Sequence, residues 1–434
     1  MYGTNQGSGL TESLIDRWEP ILADGNGPAI TTLHEAATMA RVLETQAMVN
    51  SGQILTEAST LTPDMAQFQQ YTLPLARRQI PALMAMNLCT SAPMTQPFGA
   101  LYVHRFRYAP SAGGWANGIE AGYNTVLPNY AGKGTSAAPS GWATAEMELL
   151  GNTFLNSNNI YSSYSQAPAD LGFTVEQIPV LAQGLAIRSQ YTLELRQDYA
   201  SVHGMDADQV VLEGLQTETQ RQLDRQVLLR NRRAAALNGV PTIDISAPSA
   251  DGRWGAEKIA MNIVGAILAA ANQIAVTTQE GQGSWVVVTP DIATALQMLQ
   301  NGIFTSVKVD VNATRSTTAV SKIGTLNGTI DVYRDHLSFG ESYALVGYKG
   351  ERPGSSAVTF MPYIPYIITR TTGPEDGSPR IIVKSRFALV DSAWGSANYV
   401  REIRFAGVGA VPGASGTIFA GNWNLRGNTL YAGS

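Results

Sequence analysis

One helical pattern, running from Asp206 to about Leu237, constrains this chain more than any other feature. Val211, Leu215, Thr219, Leu223 and Val227 recur every four residues and so share one face, while Glu213, Arg221, Asp224 and Arg230 point elsewhere. With Asp206 as its cap, such a helix spans roughly 45 Å at 1.5 Å per residue. An element of that length crosses a whole domain, so its neighbours must be laid along it. Single cores stop growing at about 250 to 300 residues, and a chain of 434 residues therefore predicts more than one domain.

Around this beam the pattern alternates. Phe173 to Leu195 reads as largely strand, and Gly204 separates it from the long helix. Beyond the helix, Ile259, Ile263, Ile267, Ala271 and Ile274 mark a second helix from about Ala256, WVVVTP reads as a strand, and Pro290 with Asp291 opens a further helix. Helices alternating with strands predict a compact α/β lobe. VYRDH, YALVGYKG, AVTFMPYIPYIITR and RIIVKSRFALV follow as strands separated by Gly, Pro and Asn turns, the last two long enough to return to the beam. From Gly395 a C-terminal tail is expected, with one strand-like piece, YVREIRF.

The other extremities are harder to place in a compact body. Leu14, Ile15, Trp18, Ile21 and Leu22 form one helical stripe after a capping pair, Ser13 and Asp16, and Pro20 should kink or restart that helix. After the break ADGNGP, Thr32 and Glu35 form a capping box for a helix whose face carries Leu33, Ala36, Ala40, Leu43 and Ala47, ended by Gly52. Two short amphipathic helices cannot bury both stripes alone, so they need a partner surface. Thr62-Pro63-Asp64 starts a third helix with Met65, Phe68 and Tyr71, and Pro74 and Pro81 joint the arm that follows. From Ala109 to roughly Gly172 the chain turns to Gly, Ser, Ala, Asn and Tyr with little periodicity, which predicts either a projecting hairpin or loop completed by another subunit, or disorder.

Motifs for chemistry are scarce. His34, His104, His203 and His336 are scattered, without metal spacing, so neither metal nor cofactor is expected, and no catalytic residue is assigned. YAGKGT lacks the first glycine and the preceding strand of a phosphate loop. Cys89, the single cysteine, sits beside Met86 and Leu88 and reads as a small buried hydrophobe. Asp206 and Asp208 are explained by the positive end of the long helix. Arg230, Arg232 and Arg233 complement its negative end, with nucleic-acid contact as the alternative use for them and for Arg77-Arg78. A net charge of −5 argues against a dedicated nucleic-acid binder, and charged residues make up only 15% of the chain, which suits surfaces buried against neighbours. No run reaches the roughly 18 apolar residues of a membrane span, and MYGTNQGSGL lacks the regions of a signal peptide, so no membrane partner is expected.

The segment RRQIPALMAMNLCTSAPMTQPFGALYVHRFRY, from Arg77 to Tyr108, resembles the entry to the core domain in major capsid proteins of T4-like contractile-tailed bacteriophages. IRSQYTLELRQDYASVHGMDADQ, GRWGAEKIAMNIVGAILAAANQIA, TLNGTIDVYRDH, YALVGYKG, MPYIPYIITRTTG and VKSRFALV continue the resemblance in the family's order, and HGMDAD is its most specific phrase. The resemblance implies an α+β, HK97-type capsid fold. Its expected parts are a propeptide-like helical segment (1–57), an N-terminal arm (58–100), an E loop (101–172), a P domain with the spine helix (173–250), an A domain (251–357), P-domain return strands (358–394) and a tail (395–434). It implies hexameric and pentameric capsomers in an icosahedral head shell of the virion, built in the bacterial host cytoplasm around double-stranded DNA that is touched weakly and non-specifically. A scaffold and a prohead protease during assembly, and vertex, decoration and portal proteins, are the further partners it implies. LIDRWEPIL resembles the start of the family's propeptide, and Leu55-Thr56-Glu57 before Ala58 matches its protease signal, which places cleavage between Glu57 and Ala58. The alternative of the same fold is an encapsulin-like nanocompartment subunit that encloses protein cargo.

Overall fold

The structure is a computed structural model that describes residues 8–23, 30, 32–50, 83–108, 119–122, 126–144, 147, 154–155, 161–162, 169–204, 207–244, 256–299, 302–306, 320–336, 338, 342–352, 354–373 and 377–406. They fall into two compact units, one of Met1–Gly99, Pro179–Ala275 and Gly281–Ser434, the other of Ala100–Ile178 with Val276–Glu280.

The predicted beam is helix α5, Ala207–Ala236, of 30 residues, within the first unit. Leu215, Thr219, Leu223 and Val227 of its predicted stripe are buried. Asp208, Gln216, Gln220, Asp224 and Asn231 are buried as well. The expectation that Asp224 points away from the core is therefore corrected, because short helix α3, Met84–Leu88, brings the unpaired Met84 N–H to donate to Asp224 Oδ1 at 2.9 Å.

Along α5 lies an antiparallel ribbon with one parallel edge, ordered β1 (Thr90–Ser91), β16 (Val358–Thr372), β17 (Pro379–Asp391) and β9 (Gln183–Gln190). The alternating residues Ile381 and Val383 of β17, with Tyr191 and Tyr366, close over Ala207 and Leu215 of α5. Pro362 and Pro365 sit inside β16 and coincide with its two register shifts against β17, since proline cannot donate to the ladder. The strand expected to reach Leu195 stops at Gln190, where Thr192 Oγ1 accepts from Leu195 N at 3.3 Å and starts helix α4, Leu193–His203.

The α/β lobe is a seven-stranded sheet ordered β10 (Thr242–Asp244), β18 (Val400–Ala406), β15 (Tyr343–Gly347), β11 (Trp285–Val288), β14 (Ile330–Asp335), β13 (Val320–Leu326) and β12 (Phe304–Ser306). The piece YVREIRF is therefore a strand inside this sheet, paired with β10 and β15, and the tail expected from Gly395 starts only beyond it. Helix α6, Ala256–Thr278, lays Ile263, Ile267, Ala271 and Ile274 on the sheet, and α7, Pro290–Gln297, adds Ile292 and Leu296. By length and composition α6 could cross a membrane, contrary to the sequence reading, yet that isoleucine face is the core of the lobe. Asn327 and Gly328 both take positive φ between β13 and β14, the conformation an Asn-Gly hairpin turn requires. Gly347 is opposite Trp285, whose ring lies 2.1 Å from where a Cβ would stand.

Helix α1, Ser8–Leu22, contains Pro20 in its last turn without the break expected there, because the chain leaves the helix two residues later. Helix α2, Leu33–Asn50, buries Met39, Ala40, Val42 and Leu43, whereas Leu33 at its exposed start does not join that face. The partner surface these helices need is partly their own chain. Trp18 Nε1 donates to Glu44 at 2.9 Å, and Gln46 Nε2 donates to the Tyr366 carbonyl at 2.9 Å, covering the edge of β16.

Three close ion pairs, each at 3.0 Å or less, fasten α5 to the sheets. Arg230 binds both oxygens of Asp391 (2.9 and 3.1 Å) on β17. Arg225 meets Asp335 at 3.0 Å, and Arg232 holds both oxygens of Glu402 at 2.8 and 3.1 Å while stacking over the Tyr343 ring at 4.1 Å. Glu402 is buried, and without Arg232 it keeps the longer contact from Arg404 Nε at 3.4 Å. Arg232→Met should cost about 1–3 kcal/mol of stability in denaturant unfolding, because that one long contact leaves the carboxylate poorly satisfied, and adding Glu402→Leu should restore part of it.

Candidate interaction surfaces

The second unit carries the surface that the sequence left unexplained. Its centre is a three-stranded sheet ordered β3 (Glu120–Ala121), β2 (Phe98–Tyr108) and β8 (Leu171–Leu181). Strand periodicity sends alternate side chains to opposite faces. On one face Arg105 approaches Glu176 at 3.3 Å and Arg107 Nη2 donates to Glu176 at 2.7 Å, so the charges neutralise one another. The other face gathers Tyr102, Phe106, Leu171, Phe173 and Val175, between 38% and 60% exposed. Ring contacts of 5.4 Å from Phe173 to both His104 and Phe106 tie the two strands into one continuous apolar patch.

A contiguous aromatic patch of this kind calls for an explanation, since isolated exposed apolar residues need none but a row of them does. The periodic signal was present in FGALYVHRFRY and LGFTVEQIPVL, but it could not say that the side of Leu101 and Val103 is the buried one while the more aromatic side stays in water. Of the stretch from Ala109 to Gly172, the described parts are short pairs, β4 (Lys133–Thr135) with β5 (Ala138–Ser140) and β6 (Phe154–Leu155) with β7 (Tyr161–Ser162). Lys133 thus starts a hairpin strand and not a phosphate loop.

Leu55, Glu57 and Ala58 lie outside the described residues, as do Arg77, Arg78, Asp206, the helix expected from Thr62 and the tail beyond Ala406. The remaining singled-out residues serve packing. Cys89 is fully buried, accepts from Asn231 Nδ2 at 3.6 Å, and burial pushes its thiol up to about 12. His34 Nε2 lies 3.2 Å from the Ser91 carbonyl, and His336 Nε2 lies 2.9 Å from Ser321 Oγ with its pKa lowered by burial. Asp208 does more than complement the helix end, because it accepts from the Tyr191 hydroxyl and lies near Arg370 and Arg196. Arg230 and Arg232 are occupied by Asp391 and Glu402, which corrects both the helix-end explanation and the nucleic-acid alternative for this pair. Among the described residues, no group of three His, Cys, Asp or Glu side chains could hold a metal ion.

Among the described residues, Asp224 is the carboxyl whose pKa is raised strongly. Burial raises it to about 7 against its single amide donor, Met84 N, while Oδ2 has no hydrogen-bond partner. Folding therefore takes up a proton between the ordinary value of 3.8 and about 7, and stability falls as pH rises through that window. Asp224→Asn keeps the acceptor and removes the charge. Its melting temperature relative to the parent should rise steadily between about pH 4 and pH 7 and level off by pH 8, as calorimetry across that range would show.

A family model described as Major capsid protein Gp23 matches residues 65–405. The major capsid protein of Salmonella phage ViI is 28% identical over 88% of this chain and 90% of its own, and that of Serratia phage KSP90 is 26% identical over the same shares. The solved capsid of Myoviridae phage XM1 aligns with 81% of this chain and 95% of that one, at 8% identity and a TM-score of 0.39.

Proposed function

This chain belongs to the Gp23 family of major capsid proteins, α+β subunits of the HK97 type that form the phage head shell, and on that premise we propose how its parts build the shell. The second unit acts as the E loop, the ribbon with α5 as the P domain, and the seven-stranded lobe as the A domain. The observation that carries this reading is the aromatic face of Tyr102, Phe106, Leu171, Phe173 and Val175, which a subunit alone leaves in water. In a capsomer of six or five copies that face lies on the neighbouring subunit. Heterologous contacts of this kind close into rings, and many modest interfaces, each burying on the order of 800 Å² per partner, hold a closed shell together.

The N-terminal segment is assigned to assembly. Before cleavage α1 would meet a scaffold while α2 covers the edge of β16 through Gln46. A prohead protease cutting between Glu57 and Ala58 would release both helices, uncover that edge, and allow the shell to expand around double-stranded DNA. Portal, vertex and decoration proteins complete the partners, and the segment from 409 to 434 would cross a neighbouring subunit.

Two variants test these assignments. Phe173→Asp with Val175→Asp should leave a folded, soluble subunit that forms no shells in negative-stain microscopy, and shells of normal size and yield would reject the aromatic face as the contact. Glu57→Ala should keep its full mass in the particle and stall as a small, round, unexpanded prohead; expansion to full size with the segment attached would remove the role given to cleavage.

A further inference from the structure

With Arg230 and Arg232 consumed in ion pairs, a separate cluster of positive charge in the first unit lies on a different face. Strands β9 and β17 are paired so that Arg188 stands opposite Ile382, Lys384 opposite Ala186, and Arg386 opposite Gly184. Ile187, Val383 and Ser385, the residues between them, are on the side that faces α5, where Ile187 and Val383 join the core. Arg188, Lys384 and Arg386 are therefore turned to the opposite face and are exposed, with Arg380 half-exposed on the same side. Diagonal neighbours across two strands stand about 7–8 Å apart, so Arg188 has Arg380 and Lys384 at that spacing. Asp391 is the one acid on β9, β16 and β17, and it is turned to Arg230 on the α5 side. Among the described residues, Arg188, Lys384 and Arg386 make no ion pair.

We propose that this face binds the sugar-phosphate backbone of nucleic acid without reading its sequence, an assignment that rests on the shell reading and names where the shell touches its contents. Several like charges side by side on a flat ribbon repel one another until an anion covers them. The chemistry selects phosphate over an acidic protein partner. Small residues, Ala186 and Gly184, stand opposite the cations, and no aromatic side chain rises among them to anchor a protein, whose interface cores are depleted in lysine. Arginine forks suit phosphate oxygens, and contacts to the backbone need charge and spacing alone. In a chain of net charge −5, collecting cations on one face permits weak contact with a polyanion while the rest of the surface repels it.

The test uses dilute, unassembled full-length chain and a random-sequence 30-base-pair DNA duplex, with affinity measured across salt. Each lost phosphate contact removes about 0.9 from the slope of log affinity against log salt. R188Q/K384Q/R386Q should therefore flatten the slope by about 2.7, so that between about 50 and 200 mM salt the parent weakens roughly 40-fold more than the variant. R188K/R386K, which keeps the charges, should retain the parent slope. An unchanged slope in the triple variant overturns the proposal. So does a loss confined to a polyglutamate peptide, because the face would then be a site for acidic protein. Negative-stain microscopy of the same preparations keeps the two readings apart: shells formed by a triple variant of unchanged slope refute the phosphate face and leave the shell assignment standing.

Discussion

The structure of the first unit depends on charges paired along one helix. Helix α5 offers Asp224, Arg225, Arg230 and Arg232 to four different elements, α3, β14, β17 and β18, and each finds a partner distant in sequence. A purely apolar beam would allow the sheets to slide along it, because hydrophobic contact is non-directional. Bidentate pairs such as Arg230 with Asp391 and Arg232 with Glu402 have one geometry, so they fix the register of the helix against both sheets. The cost is desolvation, visible at Asp224, whose carboxyl is held near neutrality in pKa by burial.

That rigid body contrasts with the second unit, whose sheet has one neutralised face and one aromatic face in water. The contrast explains how a shell subunit can fold as a single chain and still assemble. Cores and clamps give the body its shape, while the face proposed to bind other copies is left apolar and exposed. The N-terminal helices occupy a middle position, since α2 is buried on its own chain and yet ends at the segment whose cleavage is proposed.

The cationic face on β9 and β17 follows from the same economy of charge. Spacing alone could not find it, because Arg188 and Lys384 are nearly two hundred residues apart and are brought together by strand pairing. The sequence drew attention instead to Arg230, Arg232 and Arg233, adjacent in the chain, of which the first two are spent on internal acids.

Legibility followed distance along the chain. The four-residue repeat of α5, the isoleucine face of α6 and Pro290 at the start of α7 were all readable, because helices are dictated by residues within a few positions of one another. The family, too, was readable from ordered phrases such as HGMDAD. Asp224 was misread as an outward residue, YVREIRF as part of a tail, and the ribbon's ending was placed at Leu195, because each is decided by a partner far away: an amide of α3, two strands of the lobe, and the helix cap at Thr192. The sequence by itself determined which segments become helix or strand and to which family the chain belongs. Only the tertiary structure decided which charges are neutralised and which faces remain open, since desolvation and pairing depend on what else arrives in the same few ångströms.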